Sequence, residues 1–375
     1  MRGVLYQAGF LLVLGFLAVT AVINVRANMQ ARGIPMDFSF WDNTAGFDIN
    51  QALVPYSALS TYGQAFLVGL LNTLLVAAIG LVLTTIIGFA IGIARLSHNW
   101  IVARLAMIYV ETLRNVPLLL QLLFWYNAVL KPLPGPRQSL SLPFSIYLNN
   151  RGLFIPAPVF ASGAEWFALA FVFGLLAAFL FWLFAHKRQV QTGKRLPVGL
   201  VTTILIIGMP LAVFFLAWQP LSFSYPELKG FNFMGGWRLL PEFVTLLLGL
   251  SLYTAAFIAE IVRAGIEAVP AGQSEAAAAL GLPRKLALRY VIVPQALRVI
   301  IPPLTSQYLN LIKNSSLAVF IGYPDLVQVF AGTVLNQTGA AVQIICITMA
   351  VYLVISLATS FAMNLFNRRM ALVER

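Results

Sequence analysis

Glu275-Ala276-Ala277-Ala278-Ala279-Leu280-Gly281-Leu282-Pro283-Arg284-Lys285, followed by Tyr290-Val291-Ile292-Val293-Pro294, breaks a long apolar region with a short charged, alanine-rich segment. The pattern predicts helix, turn, helix. Ser274 is placed to cap a first helix over residues 275–280, Gly281 stands where a left-handed stop is wanted, and Pro283 pre-sets the first turn of a second helix. That second helix offers Arg284, Lys285 and Arg289 beside Leu286 and Leu288. A rigid knob of this kind is suited to dock in a groove of another protein. The plainer reading is an ordinary alanine-rich loop helix.

The flanking sequence says what the knob projects from. Of 375 residues, 60% are apolar and 10% charged, with a mean hydropathy of +0.87. So little polar surface excludes a water-soluble domain of this length and predicts an all-α polytopic membrane protein. About eight spans, each near 20 apolar residues, are expected at 4–25, 66–94, 103–130, 166–185, 198–218, 241–268, 299–321 and 341–366. The first is longer than a signal-peptide core and is expected to be a retained anchor.

The net charge of +12 comes from basic residues at span edges, so nucleic acid is not an expected partner. With both termini inside, fifteen Lys and Arg fall on the inner side and seven on the outer. That bias predicts both termini in the cytoplasm, with the Glu275 segment beside them. The outer segments 26–65 and 131–165 lack a helical period and are expected to be irregular surface with short helices. Residues 166–218 form a plain apolar helix pair around a basic turn. Gly80, Thr84, Gly88 and Gly92 make a small-residue stripe, which predicts close helix contact.

No G-x-x-x-x-G-K-[ST] phosphate cradle is present, so ATP is not expected to bind in this chain. Nor is there a His, Cys or Asp cluster with metal spacing, or a recognisable catalytic nucleophile; catalytic and metal sites are both expected to be absent. Charge inside the spans is the remaining signal, because each buried charge costs several kcal/mol unless paired. Glu111 and Arg114 are three residues apart and read as a structural ion pair. Glu260, Arg263 and Glu267 share a helix face. Glu260 lies deepest and could take a substrate ammonium group, while Lys313, Asn314, Ser315 and Ser316 offer donors to a substrate carboxylate. Arg263 and Glu267 read as structural ion-pair residues, and pairing with Arg263 is the alternative for Glu260. Hydrogen bonding between helices is the rival to substrate contact by Glu260 and the 314–316 group.

Several stretches together carry a family resemblance. The E-A-A segment with its glycine and later proline, YVETLRNVPLLLQ at 109–121, YTAAFIAEIVRAGI at 253–266 and LIKNSSL at 311–317 resemble the membrane subunits of polar amino-acid ABC importers. The long first outer loop and the inserted helix pair resemble the larger permease of general L-amino-acid and glutamate/glutamine/aspartate/asparagine importers. The resemblance implies a type I importer permease fold in the bacterial inner membrane: a five-helix core plus the N-terminal helix and the inserted pair. It implies a second, different permease, an ABC ATPase dimer that uses ATP and magnesium, and a periplasmic amino-acid-binding protein as partners. It places the coupling contact on Glu275, Ala276, Ala277, Gly281, Leu282, Pro283, Arg284, Lys285 and Pro294. The expected divisions are 1–65 (anchor and outer loop), 66–130 (first part of the core), 131–240 (outer loops and helix pair) and 241–375 (second part of the core, with coupling loop 270–298). The family has an acid after the lysine of LIKNSSL; here it is Asn314, so an acidic contact there does not carry over. An ion-coupled transporter or channel subunit is the rival function.

Overall fold

The structure is a computed structural model that describes residues 2–31, 33, 37–160, 164–193, 196–216 and 221–370. The chain forms two compact units, Met1–Leu130 with Glu242–Arg375, and Lys131–Pro241.

The first unit opens with α1 (Arg2–Ala31) and α2 (Tyr62–Arg95). A capping box starts α2: Thr61 Oγ1 accepts from the Gln64 amide at 3.2 Å, and Gln64 Oε1 accepts from the Thr61 amide at 3.1 Å. Helix α3 (Trp100–Asn115) starts on the Asn99 side chain, and α4 (Leu118–Phe124) continues in wider turns to Leu130. The segment expected as one continuous span at 103–130 is broken, because α3 and α4 meet at an angle of 105°. Pro117 has no amide hydrogen to continue the α3 ladder. The Gln121 side-chain amide instead donates to the carbonyls of Leu113 and Val116, both at 2.9 Å, and holds the bend.

The second unit contains strand ladders where irregular surface was expected. Strands β1 (Leu140–Leu142), β2 (Ile146–Asn149) and β3 (Gly152–Ile155) lead to β4 (Ala157–Phe160). Helices α5 (Ala164–Thr192), α6 (Val198–Thr203) and α7 (Met209–Leu216) follow. Four more strands close the unit: β5 (Leu221–Ser224), β6 (Glu227–Lys229), β7 (Asn232–Met234) and β8 (Trp237–Leu239). The sheets are antiparallel, in the orders β1-β2-β3-β8, β4-β5 and β6-β7. Each strand has only three or four residues, too few for an alternating pattern to stand out in a Pro- and Gly-rich stretch.

The first unit resumes with α8 (Pro241–Glu267), α9 (Ala271–Ala279) and α10 (Arg284–Ala287). Then come α11 (Val293–Asn314), α12 (Leu335–Thr338) and α13 (Ala341–Met370). Six helices among the described residues are long and apolar enough to cross a membrane, and the count rises to seven if the bent pair is one broken span. The fifth expected span, 198–218, is a shorter apolar helix over Val198–Val213, and its expected end lies outside the described residues.

The small-residue stripe lets α2 lie against α8. A Cβ on Gly88 would come 2.6 Å from Ile258 Cγ2, and one on Gly92 would come 2.8 Å from the Ala259 carbonyl oxygen. On the same stripe the Thr84 hydroxyl donates to the Ser251 carbonyl at 3.3 Å. Near the other end of α2, Phe66 and Trp41 pack on Phe330 with ring centroids 5.2 and 5.8 Å away.

Candidate functional site

The Glu275 segment adopts helix, turn, helix, with one correction at its start. Ser274 lies inside α9, which begins at Ala271 after Pro270, so no side chain caps it. The alanines have no side-chain branching to oppose helix, which lets α9 run back past Ser274. The turn is a Schellman closure: the Leu282 amide donates to the Ala277 carbonyl at 3.0 Å and the Gly281 amide to Ala278 at 2.9 Å. It requires Gly281 at φ +69°. Pro283 then leads into Arg284 and Lys285 at the start of α10, and the chain winds through Leu288–Ile292 into α11, with Pro294 in its first turn.

Within this knob Ala277 and Ala287 are buried, while Glu275, Ala276, Gly281, Pro283, Arg284 and Lys285 are exposed. Leu280 is 80% exposed at the tip. A cavity of about 440 Å³ runs between the two short helices and is lined by Ser274, Ala278, Leu282, Arg284, Leu288 and Ile292.

The knob follows directly from the end of α8 that carries a charge cluster. Glu260 Oε1 accepts from Arg263 Nη2 at 2.6 Å, and Glu260 Oε2 pairs with Arg95 from the end of α2. Arg114 Nη1, from the last turn of α3, stands 3.9 Å from the same Oε2. Arg263 also pairs with Glu267. Three guanidinium groups therefore meet two carboxylates.

This arrangement corrects the expected Glu111–Arg114 pair. Glu111 is exposed and forms no ion pair among the described residues; Arg114 turns toward Glu260 and sits 5.3 Å from the Phe257 ring centroid. It also weakens the case for Glu260 as the acceptor of a substrate ammonium, since both its oxygens are already engaged. No hydrogen bond or ion pair joins Glu260 to the 313–316 group among the described residues. Ser315 is buried and donates to the Ile312 carbonyl, and Ser316 donates to Lys313, both at 2.7 Å. Those hydroxyls complete the helix end, while Lys313 is exposed and Asn314 half-buried.

One acid escaped the sequence reading. Asp325 is completely buried, and its carboxylate accepts from the Gln328 amide at 2.8 Å and the Tyr352 hydroxyl at 3.2 Å. Around it, Asn72 donates to Gln51 and Pro324 carbonyls at 2.8 and 2.9 Å, and Thr73 accepts from the Leu326 amide at 3.0 Å. The available signal was an aspartate flanked by apolar residues, beyond a span whose expected end at residue 321 put it in a loop. In the loop between α1 and α2, burial and the nearby Asp48 carboxylate push the Tyr56 hydroxyl to about 12. It stays protonated and donates to the Phe47 carbonyl at 3.1 Å.

The family described as "Binding-protein-dependent transport system inner membrane component" matches residues 195–372, which include the knob and the charge cluster's α8 residues. The chain is 53% identical to YhdX of Escherichia coli, provisionally named an amino-acid ABC transporter permease, over 96% of this chain and 93% of that one. It is 51% identical to AapQ of Rhizobium johnstonii, a general L-amino acid transport system permease, over 100% and 93%. BztB of Rhodobacter capsulatus, a glutamate/glutamine/aspartate/asparagine transport system permease, is 42% identical over 94% and 89%.

The chain belongs to the amino-acid ABC transporter permeases.

As such a permease it is an integral inner-membrane protein and a transport component. Its polytopic all-α architecture follows from the same membership.

Proposed function

We propose that this permease forms half of the translocation path of an ATP-driven importer of polar L-amino acids, paired with a second, different permease. An ABC ATPase dimer, using ATP and magnesium, docks on Glu275, Ala276, Ala277, Gly281, Leu282, Pro283, Arg284, Lys285 and Pro294. A periplasmic amino-acid-binding protein delivers cargo from the other side, and both termini lie in the cytoplasm. The observation that carries this reading is the knob itself: a rigid Schellman turn presenting Leu280, Arg284 and Lys285, continuous at one end with α11 and adjoining α8 at the other. A push on it reaches two membrane helices directly. The fork of Glu260, Arg95, Arg114 and Arg263 lies where α2, α3 and α8 converge.

The test is to purify the complex through a tag on this chain and identify the co-purified subunits by mass spectrometry. Uptake of tritiated amino acids into proteoliposomes is then followed with and without ATP. Uptake that persists at full rate without ATP, driven by an ion gradient, would sink this reading in favour of a secondary transporter.

Gly281→Val probes the docking knob. The space around Gly281 is open, so the damage comes from the left-handed backbone, which costs an ordinary residue about 1–2 kcal/mol. We expect less ATPase retained on the tagged permease and a several-fold lower transport rate, with the membrane helices intact. Normal docking and transport in this variant would remove the turn from the coupling path.

A further inference from the structure

The charge cluster has one more cation than it has anions, and the surplus can be located. Arg95 and Arg263 are each within hydrogen-bond reach of Glu260, and Arg263 also holds Glu267. Arg114 is not: its Nη1 stops 3.9 Å from Glu260 Oε2, and its guanidinium rests against Phe257. Its side chain is also the most open of the three, at 35% exposure against 29% for Arg263 and 11% for Arg95. A guanidinium on an apolar helix whose ion pair is long and whose other neighbour is a ring is a candidate for a further partner.

Its position in the fold supplies a second observation. Arg114 lies in the last turn of α3, immediately before the 105° break with α4. Discontinuous membrane helices are where transporters commonly place cargo contacts. Two of the carbonyls at this break, Leu113 and Val116, are taken by Gln121. The Arg114 guanidinium stands beside them as a charged donor at the break.

We propose that Arg114 receives the α-carboxylate of the amino acid in transit, with Glu260 as a fixed counter-charge and not as an ammonium acceptor. The planar fork of arginine matches a carboxylate with two parallel hydrogen bonds. Phe257 is the rest position from which the side chain swings to its cargo. This assignment rests on the import function proposed above and names the group that would recognise the cargo.

The test uses the purified permease–ATPase complex without its binding protein. Equilibrium binding of tritiated glutamine is compared with that of glutaminamide, which lacks the carboxylate. Wild type is expected to prefer glutamine. Arg114→Gln should weaken glutamine binding about tenfold and leave glutaminamide unchanged, so the preference collapses. Arg114→Lys should keep part of it, having the charge without the fork. Glu260→Gln should tighten glutamine binding by freeing the guanidinium. An assembled Arg114→Gln complex that keeps the wild-type preference overturns the proposal. If that variant does not assemble, an unchanged preference in Arg114→Lys overturns it equally. A wild-type complex that takes no amino acid at all defeats the import reading itself, and this assignment with it.

Discussion

Gly92→Leu is expected to separate α2 from α8 and to lower the thermal midpoint of the purified complex sharply. The first carbon of a side chain at this position would fall 2.7 Å from Val262 Cβ and 2.8 Å from the Ala259 carbonyl oxygen. Neither neighbour is the free end of a flexible chain, so the helices themselves must part. Overpacking of this kind costs about 1–3 kcal/mol and more where backbone is involved. A further loss follows, because Arg95 is only three residues on from Gly92 and its partner Glu260 adjoins Ala259. Gly80→Ala is the control: its added carbon would meet Leu311 Cδ2 at an ordinary 3.4 Å, and its midpoint should stay near wild type. Equal midpoints for Gly92→Leu and Gly80→Ala would show that α2 and α8 do not approach as described.

Asp325→Ala is expected to be nearly as damaging, for a different reason. It deprives the Gln328 amide and the Tyr352 hydroxyl of their acceptor inside a fully buried site. Each orphaned donor costs about 1–3 kcal/mol. The carboxylate also ties the chain after Gly322 to α13, while Asn72 and Thr73 tie the same segment to α2. Loss of the knot should therefore loosen three parts of the bundle together. Asp325→Asn keeps one acceptor oxygen and should give a smaller drop in thermal midpoint. If Asp325→Ala melts with wild type, the aspartate does not anchor this segment. If Asp325→Asn alone is as damaging as Asp325→Ala, the charge matters beyond the two hydrogen bonds.

Much of the architecture was legible in the residues because it depends on near neighbours. Apolar length locates α1, α2, α8 and α13, since a membrane core demands about 20 apolar residues wherever the helix sits. Gly281 marks its own turn, because only that residue type takes φ +69° without strain. The stripe from Gly80 to Gly92 announces a close helix contact, although it does not name α8 as the neighbour. Pro117 falls inside the segment expected as one span at 103–130, and the angle of 105° there depends on what Gln121 does five residues beyond Val116. The short strands of the second unit stayed hidden because their pairing joins residues as distant as Leu153 and Leu239.

By itself, then, the sequence determined that this is a polytopic helical membrane protein, which segments are apolar enough to cross, and that residues 275–285 form a rigid exposed knob. These are consequences of solvent transfer and local backbone preference, and both act over a few residues. Only the tertiary structure decided the partners of the buried charges. Spacing along one helix joined Glu111 to Arg114 and offered Glu260 either Arg263 or cargo. The folded chain instead brings Arg95 to Glu260 across 165 residues and turns Arg114 toward the same acid. It also buries Asp325 against Tyr352. An ion pair between helices depends on the depth and rotation of each one, and those are set by how Gly88 and Gly92 let α2 seat against α8.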